Sequence, residues 1–221
     1  MVCPHPPLIF HGTAIPERPN VKVVGLTMCH NMSWKEHITN VYRSANRSLG
    51  LLRRARAVLN SAALATIYKS FIRSQLEYCC PIWMGGGEVG LDRLDRIQVR
   101  ATRIIGHTEG IKLQSLAHRR GVAALCVMHR LVKKRSPSPL HSLIPAEAKT
   151  RRASAHHHRI QPAFAPPNVR KALYWQHSCI PLLTTMWNTL VKPEIRGIAN
   201  QQVFKKRVNC ELDLSFVRAF A

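Results

Sequence analysis

Apolar positions along this chain fall first in a short β-branched run and then recur at three to four residues, and that change marks where one kind of element gives way to another. Residues 21–28, VKVVGLTM, are rich in β-branched side chains and run into the turn-forming pair His30-Asn31. They predict a strand. The twenty residues before it hold six prolines and glycines, which predicts a loop, or a short edge strand around residues 8–10. From residue 33 the period is helical. Ser33 has the chemistry of an N-cap, and Glu36 three residues on completes a capping box. Ile38, Val41, Ala45, Leu49 and Leu52 then share one face, with Arg43, Arg47 and Arg54 nearly opposite. Gly50 weakens the middle of this helix slightly.

A second helix over residues 61–78, SAALATIYKSFIRSQLEY, has Asn60 or Ser61 as its cap. Its stripe is Leu64, Ile67 and Phe71, with Gln75 as a further candidate, and Pro81 is expected to stop it. Gly85-Gly86-Gly87 turns the chain into a third helix that Gly106 ends. Leu94, Ile97, Ala101, Ile104 and Ile105 form its apolar stripe. A fourth helix is predicted over 113–134, with Leu116, Ala123, Val127 and Leu131 inward and a basic C-terminal end that suits the helix dipole. Beyond it the composition shifts to prolines, Thr150-Arg151-Arg152 and His156-His157-His158. That predicts a poorly ordered Pro/His/Arg-rich linker. Short helices return over 180–190 and 199–208, and no internal repeat is present. The expected organisation is a loop and β element over 1–32, a basic helical domain over 33–135, the linker over 136–170, and a short helical segment over 171–221. The fold class is mainly α: a helical bundle with a short N-terminal β element.

Charge changes the picture from a generic bundle to one with a partner. Lysine and arginine number 33 against 11 acidic residues, a net charge of +22. The charge is spread from Lys22 to Arg218, which indicates a basic folded surface more than a localisation tail. Such an excess repels itself in the compact state, so an anionic partner is the economical explanation. Arginine outnumbers lysine two to one, and its planar fork suits bidentate phosphate contacts. Arg93, Arg96, Arg100 and Arg103 step by 3, 4 and 3 residues, so they share one face of the third helix. Together with Arg43, Arg47 and Arg54 they are the candidate nucleic-acid-binding set. Contacts of this kind go mostly to phosphates, and are sequence-independent and salt-sensitive. No apolar run approaches the ~18 residues that span a bilayer, and MVCPHPPLIF lacks a basic n-region ahead of an apolar core. Neither a membrane partner nor a secretory signal is expected. Seven cysteines, with only Cys79 and Cys80 adjacent, do not form a disulfide framework. They predict reduced thiols in an intracellular protein, nuclear or cytoplasmic.

No catalytic, metal or cofactor constellation is expected. C-x-x-C is absent, Cys3/His5/His11 and Cys126/His129 are only partial imitations of a zinc knuckle, and the three consecutive histidines sit in the linker. Gly85–Gly87 lacks the Lys and Ser/Thr of a phosphate loop. Cys79 near Glu77 has no oriented base, and Trp34, Trp83 and Trp187 fall at packing positions.

The wording of several segments, in order, resembles one family. VKVVGLTMCHNMSWKEHI matches, at Gly25, Ser33, Trp34, His37 and Ile38, the phrase that follows the polymerase palm in non-LTR (LINE-type, jockey-like) retrotransposon reverse transcriptases. The ANRSLGLLRR stretch fits the same region. Tyr68, Arg73, Leu76-Glu77-Tyr78, Pro81 and Trp83 match its next phrase, and Leu94, Ile97-Gln98, Ala101, Arg103 and Ile105 the one after. His118-Arg119-Arg120 with Val122-Ala123 looks like its HRR-x-VA phrase, Ser178, Pro181, Trp187-Asn188 and Leu190 resemble its closing WN phrase, and Phe204-Lys205 fits the end. The departures are Cys29, where the family has Asp, and Cys179, where an aromatic is common. The resemblance spans roughly residues 8–208. It implies a thumb-like, post-palm fragment of an RNA-directed DNA polymerase, with RNA or DNA and the palm domain of the parent protein as its expected partners. Two-metal phosphoryl transfer needs clustered carboxylates, whereas this chain has only Asp92, Asp95 and Asp213 as aspartates. Asp92 is expected to pair with Arg96 at i+4. The fragment is therefore not expected to polymerise alone. The rival readings are a structural RNA- or chromatin-associated basic protein, which explains the charge but not the phrases, and a non-functional retroelement relic.

Overall fold

Two successive hairpins open the fold. In the first, β1 (Ile9–Phe10) pairs antiparallel with β2 (Thr13–Ala14); in the second, β3 (Asn20–Val23) pairs with β4 (Leu26–Cys29). The computed structural model describes residues 6, 8–106, 113–134, 139, 142, 144, 160 and 177–212. The strand predicted over 21–28 is thus folded back on itself. Val24 (φ 48) and Gly25 (φ 84) both take positive φ, the requirement of a type I′ turn, and the β-branched run conceals it. The predicted linker over 136–170, with His156–His158 and Thr150–Arg152, lies outside the described residues except at 139, 142, 144 and 160.

Helix α1 (Lys35–Ala55) buries Ile38, Ala45, Leu49 and Leu52 as its periodicity predicts. Its start differs from expectation. Trp34 occupies the cap position without a side-chain bond, and Ser33 Oγ accepts only from Lys35 N at 3.3 Å. The Glu36 carboxylate turns away from the helix and accepts from Asn20 Nδ2 at 2.9 and 3.1 Å. The nearby hairpin competes successfully for the capping-box acid.

Asn60 caps α2 (Ser61–Ile67), its Oδ1 accepting from Ala63 N at 2.9 Å. A π-helical turn (Tyr68–Ile72) and α3 (Arg73–Glu77) continue the rod. The buried positions are Leu64, Tyr68, Ile72 and Leu76, while Phe71 is 65% exposed. Phe71 is a correction to the predicted stripe. A step of four drifts ~40° on a straight α-helix, and the wider π turn absorbs that drift. Nor does Pro81 stop this helix. The rod ends at Glu77, Cys79 takes φ 51, and Pro81 sits in the first turn of α4 (Cys80–Trp83), where its missing N–H costs nothing.

Helix α5 (Glu88–Ile105) buries Leu91, Leu94, Ile97, Ala101, Ile104 and Ile105, and Gly106 (φ 80) ends it. With α1, the α2–α3 rod and α4 it forms the first core, which also takes in Leu26 and Leu116. Helix α6 (Leu116–Val132), capped by Ser115 Oγ on His118 N at 3.2 Å, passes from this core to a second. There Leu125 and Met128 pack with Leu183, Met186 and Trp187 of α7 (Cys179–Leu190) and with Phe204 and Val208 of α9 (Gln201–Glu211). The short α8 (Pro193–Arg196) contributes Ile195. Because α6 is flanked on several sides, its burial is broader than the one stripe predicted: Val122 and Ala124 are buried, and the predicted Ala123 and Val127 only half so.

Two ion pairs fasten α6 to the first core. Arg120, 3% exposed, makes a fork to Asp95 of α5 at 2.8 and 3.0 Å, and Arg119 makes another to Glu77 of α3. The expected Asp92–Arg96 pair is absent among the described residues. Asp95 does the pairing instead, because α6 brings it a buried guanidinium.

Candidate nucleic-acid interface

Helices α1 and α5 lie side by side and parallel: Ile38 sits against Gly86 and Gly90, Tyr42 against Arg93, and Asn46 against Arg100. Gly86 permits the approach, since a Cβ there would stand 2.7 Å from Ile38 Cδ1 and 2.8 Å from Trp34 Cβ. The seam carries the arginine stripe along one edge. Arg93 lies 4.5 Å over the Tyr42 ring and Arg100 5.9 Å from it. Arg100 is further held by bonds donated to Asn46 Oδ1 (3.1 Å), the Tyr42 hydroxyl (3.3 Å) and the Arg96 carbonyl (3.4 Å). The bond from Arg100, with the positive charge of both guanidiniums, holds the Tyr42 phenol below its usual pKa. Arg93 and Arg100 are therefore positioned before any ligand arrives, which lowers the entropy cost of binding.

The other predicted residues fall in two further places. Arg43 and Arg47, both exposed, border a groove on the opposite flank of α1, together with Lys22 from β3. Arg54, Arg96 and Arg103 are exposed, Arg54 near the C-terminal end of α1 and the other two on α5 beside Arg93 and Arg100. The seven arginines thus form a stripe along the α1/α5 seam, a pair at the groove, and one outlier. Among the described residues none of the seven makes an ion pair. Of the carboxylates near them in sequence, Asp95 serves Arg120 and Glu36 serves Asn20, while Glu88 and Asp92 make no ion pair among the described residues.

Sequence reasoning missed the platform under the stripe. Tyr42 falls between the apolar face of α1 and its basic face, and that amphipathic position was the available signal. Lys22 lies in a β-branched run whose fold-back at Val24-Gly25, which brings it to the groove, has no periodic signal. Burial pushes the Cys80 thiol up to about 12 and that of Cys179 up to about 11, so neither forms a thiolate readily. Among the described residues no group of three His, Cys, Asp or Glu side chains is placed to hold a metal. No helix among them is long and apolar enough to cross a membrane. Neither a family model nor a curated protein nor a solved structure matches the chain.

Proposed function

We propose that this chain is the region following the palm of a LINE-type reverse transcriptase, and that it grips RNA or DNA through phosphates without polymerising alone. The observation that carries the binding role is the arginine stripe on the α1/α5 seam. It has no carboxylate partners among the described residues, and two of its members are pre-positioned on Tyr42 and Asn46. Unpaired guanidiniums on a rigid helix pair are a surface for a polyanion, since phosphate can make charge-assisted forks with each. The motif positions support the post-palm origin. Ile38, Tyr68, Leu76, Trp83, Leu94, Ile97, Ala101, Trp187 and Phe204 are all buried, as expected if the shared wording encodes a shared core.

Filter binding of single-stranded RNA across a salt series tests the reading. The logarithm of the association constant drawn from retention should fall linearly with the logarithm of salt concentration, with a slope of about −0.7 for each phosphate neutralised. Arg96→Gln with Arg103→Gln removes two exposed guanidiniums that hold nothing else, and should make the slope shallower by about 1.4. Absence of retention at low salt, or retention indifferent to salt, would overturn the proposal.

A further inference from the structure

The groove beside Arg43 and Arg47 has a composition that phosphate binding alone does not explain. It encloses about 590 Å³ between the β3–β4 hairpin, α1 and the end of α3, within the ~300–1,000 Å³ range of small-ligand sites. Three of its lining residues are cations, Lys22, Arg43 and Arg47, and none is a carboxylate. The rest of the polar lining is uncharged and includes the amides of Asn40 and Gln75. Tyr78 stands at its edge with the ring half exposed.

The walls are fixed by hydrogen bonds between elements distant in sequence. Thr27 N donates to His37 Nδ1 at 3.3 Å, tying the hairpin to α1. The Tyr78 hydroxyl donates to the Val24 carbonyl at 3.0 Å, tying α3 to the hairpin turn. Gly25 fits that junction with φ 84, and a Cβ there would touch Tyr78 Cε1 at 3.4 Å. Ser44 Oγ donates to Gln75 Oε1 at 3.0 Å and Gln75 Nε2 to Ser48 Oγ at 3.4 Å, closing α3 onto α1. Gln75 retains one N–H and one lone pair after these bonds. The Asn40 side-chain amide makes no hydrogen bond among the described residues. The site is preformed, with cations from both its hairpin and α1 walls, and its remaining lining includes the Tyr78 ring, the His37 imidazole and two amides.

We propose that this groove holds one unpaired nucleotide of a single-stranded nucleic acid, its base against the Tyr78 ring and facing the Asn40 and Gln75 amides, its phosphate on Lys22, Arg43 and Arg47. The inference rests on the nucleic-acid reading above and gives that surface a preference it otherwise lacks. A duplex keeps its bases stacked inside, whereas a single strand can splay one out onto an aromatic face. Lys22, Arg43 and Arg47 serve either form, but Tyr78 and the amides serve only the splayed base.

The test compares a labelled single-stranded 12-mer with a duplex of the same length, using the full chain at fixed salt. Base–aromatic stacking is worth about 1–3 kcal/mol, so Tyr78→Leu should weaken single-strand binding by about 5- to 150-fold and leave duplex binding and both salt slopes unchanged. Tyr78→Phe keeps the ring and loses only the bond to Val24, and should restore single-strand affinity to within about threefold, the ring carrying the stacking energy. Equal losses with Leu and Phe would mean that the hairpin anchor matters and the ring does not, overturning the groove proposal. So would binding of strand and duplex that Tyr78→Leu leaves untouched while salt dependence persists; the arginine reading would then stand alone. Absence of any salt-dependent binding overturns both.

Discussion

Removing Asp95 should cost this protein more than removing any other carboxylate among the described residues. Its partner Arg120 has a side chain only 3% exposed, gripped through two bonds at 2.8 and 3.0 Å, whereas Asp95 itself is 32% exposed. Truncating one partner of a buried pair leaves the other charge desolvated, at about 3–5 kcal/mol. Water reaches the Asp95 side, so the low end applies, about 3 kcal/mol for Asp95→Ala. In a chain of this size that corresponds to a melting temperature lower by about 6–12 °C. The double variant Asp95→Ala/Arg120→Leu removes the stranded charge and should recover most of the loss, because replacing both partners by apolar groups is often close to neutral. Urea denaturation reads both effects as shifts in midpoint at constant slope. A loss below about 0.5 kcal/mol for Asp95→Ala, the scale of a surface pair, would mean that solvent already hydrates Arg120. A double variant no more stable than Asp95→Ala would equally refute the reasoning. The outcome bears on function, because this pair ties the arginine-bearing α5 to α6.

Alkaline stability should decline through the Cys80 thiol, which burial pushes up to about 12 from an ordinary value of 9.0. Below pH 9 both states hold the proton; above it the unfolded chain loses it while the native one keeps it, so stability falls by up to about 1.4 kcal/mol per pH unit. The buried Tyr68 phenol, also raised, adds to this at higher pH, so Cys80→Ala should flatten the decline in part; urea midpoints parallel to wild type over about pH 9–11 would count against it. Two glycines should respond oppositely to alanine. At Gly50 a Cβ meets nothing within 4 Å, and removing backbone freedom from mid-helix should stabilise by about 0.5–1 kcal/mol. At Gly86 the Cβ would collide with Ile38 and Trp34, and overpacking should destabilise by about 1–3 kcal/mol. Thermal melts giving both variants the same sign would contradict the α1/α5 packing.

Local periodicity by itself determined the helices that matter most. The faces of α1 and α5, the turn at Gly85–Gly87 and the Asn60 cap are legible because each depends on side chains within a turn or two of one another. The arginine stripe is legible for the same reason. Tertiary contact decided what periodicity cannot encode. Phe71 is turned outward by a π turn that keeps Tyr68 and Ile72 in the core. Glu36 leaves its cap for Asn20, sixteen residues away. Arg119 and Arg120 look like two more cations in a basic sequence, yet Glu77 and Asp95, 42 and 25 residues distant, neutralise them. The groove joins β3, α1 and α3, and no single stretch of chain contains its outline. A charge signals its presence locally, but whether it is paired or offered to a ligand depends on which distant groups the packing brings within about 4 Å.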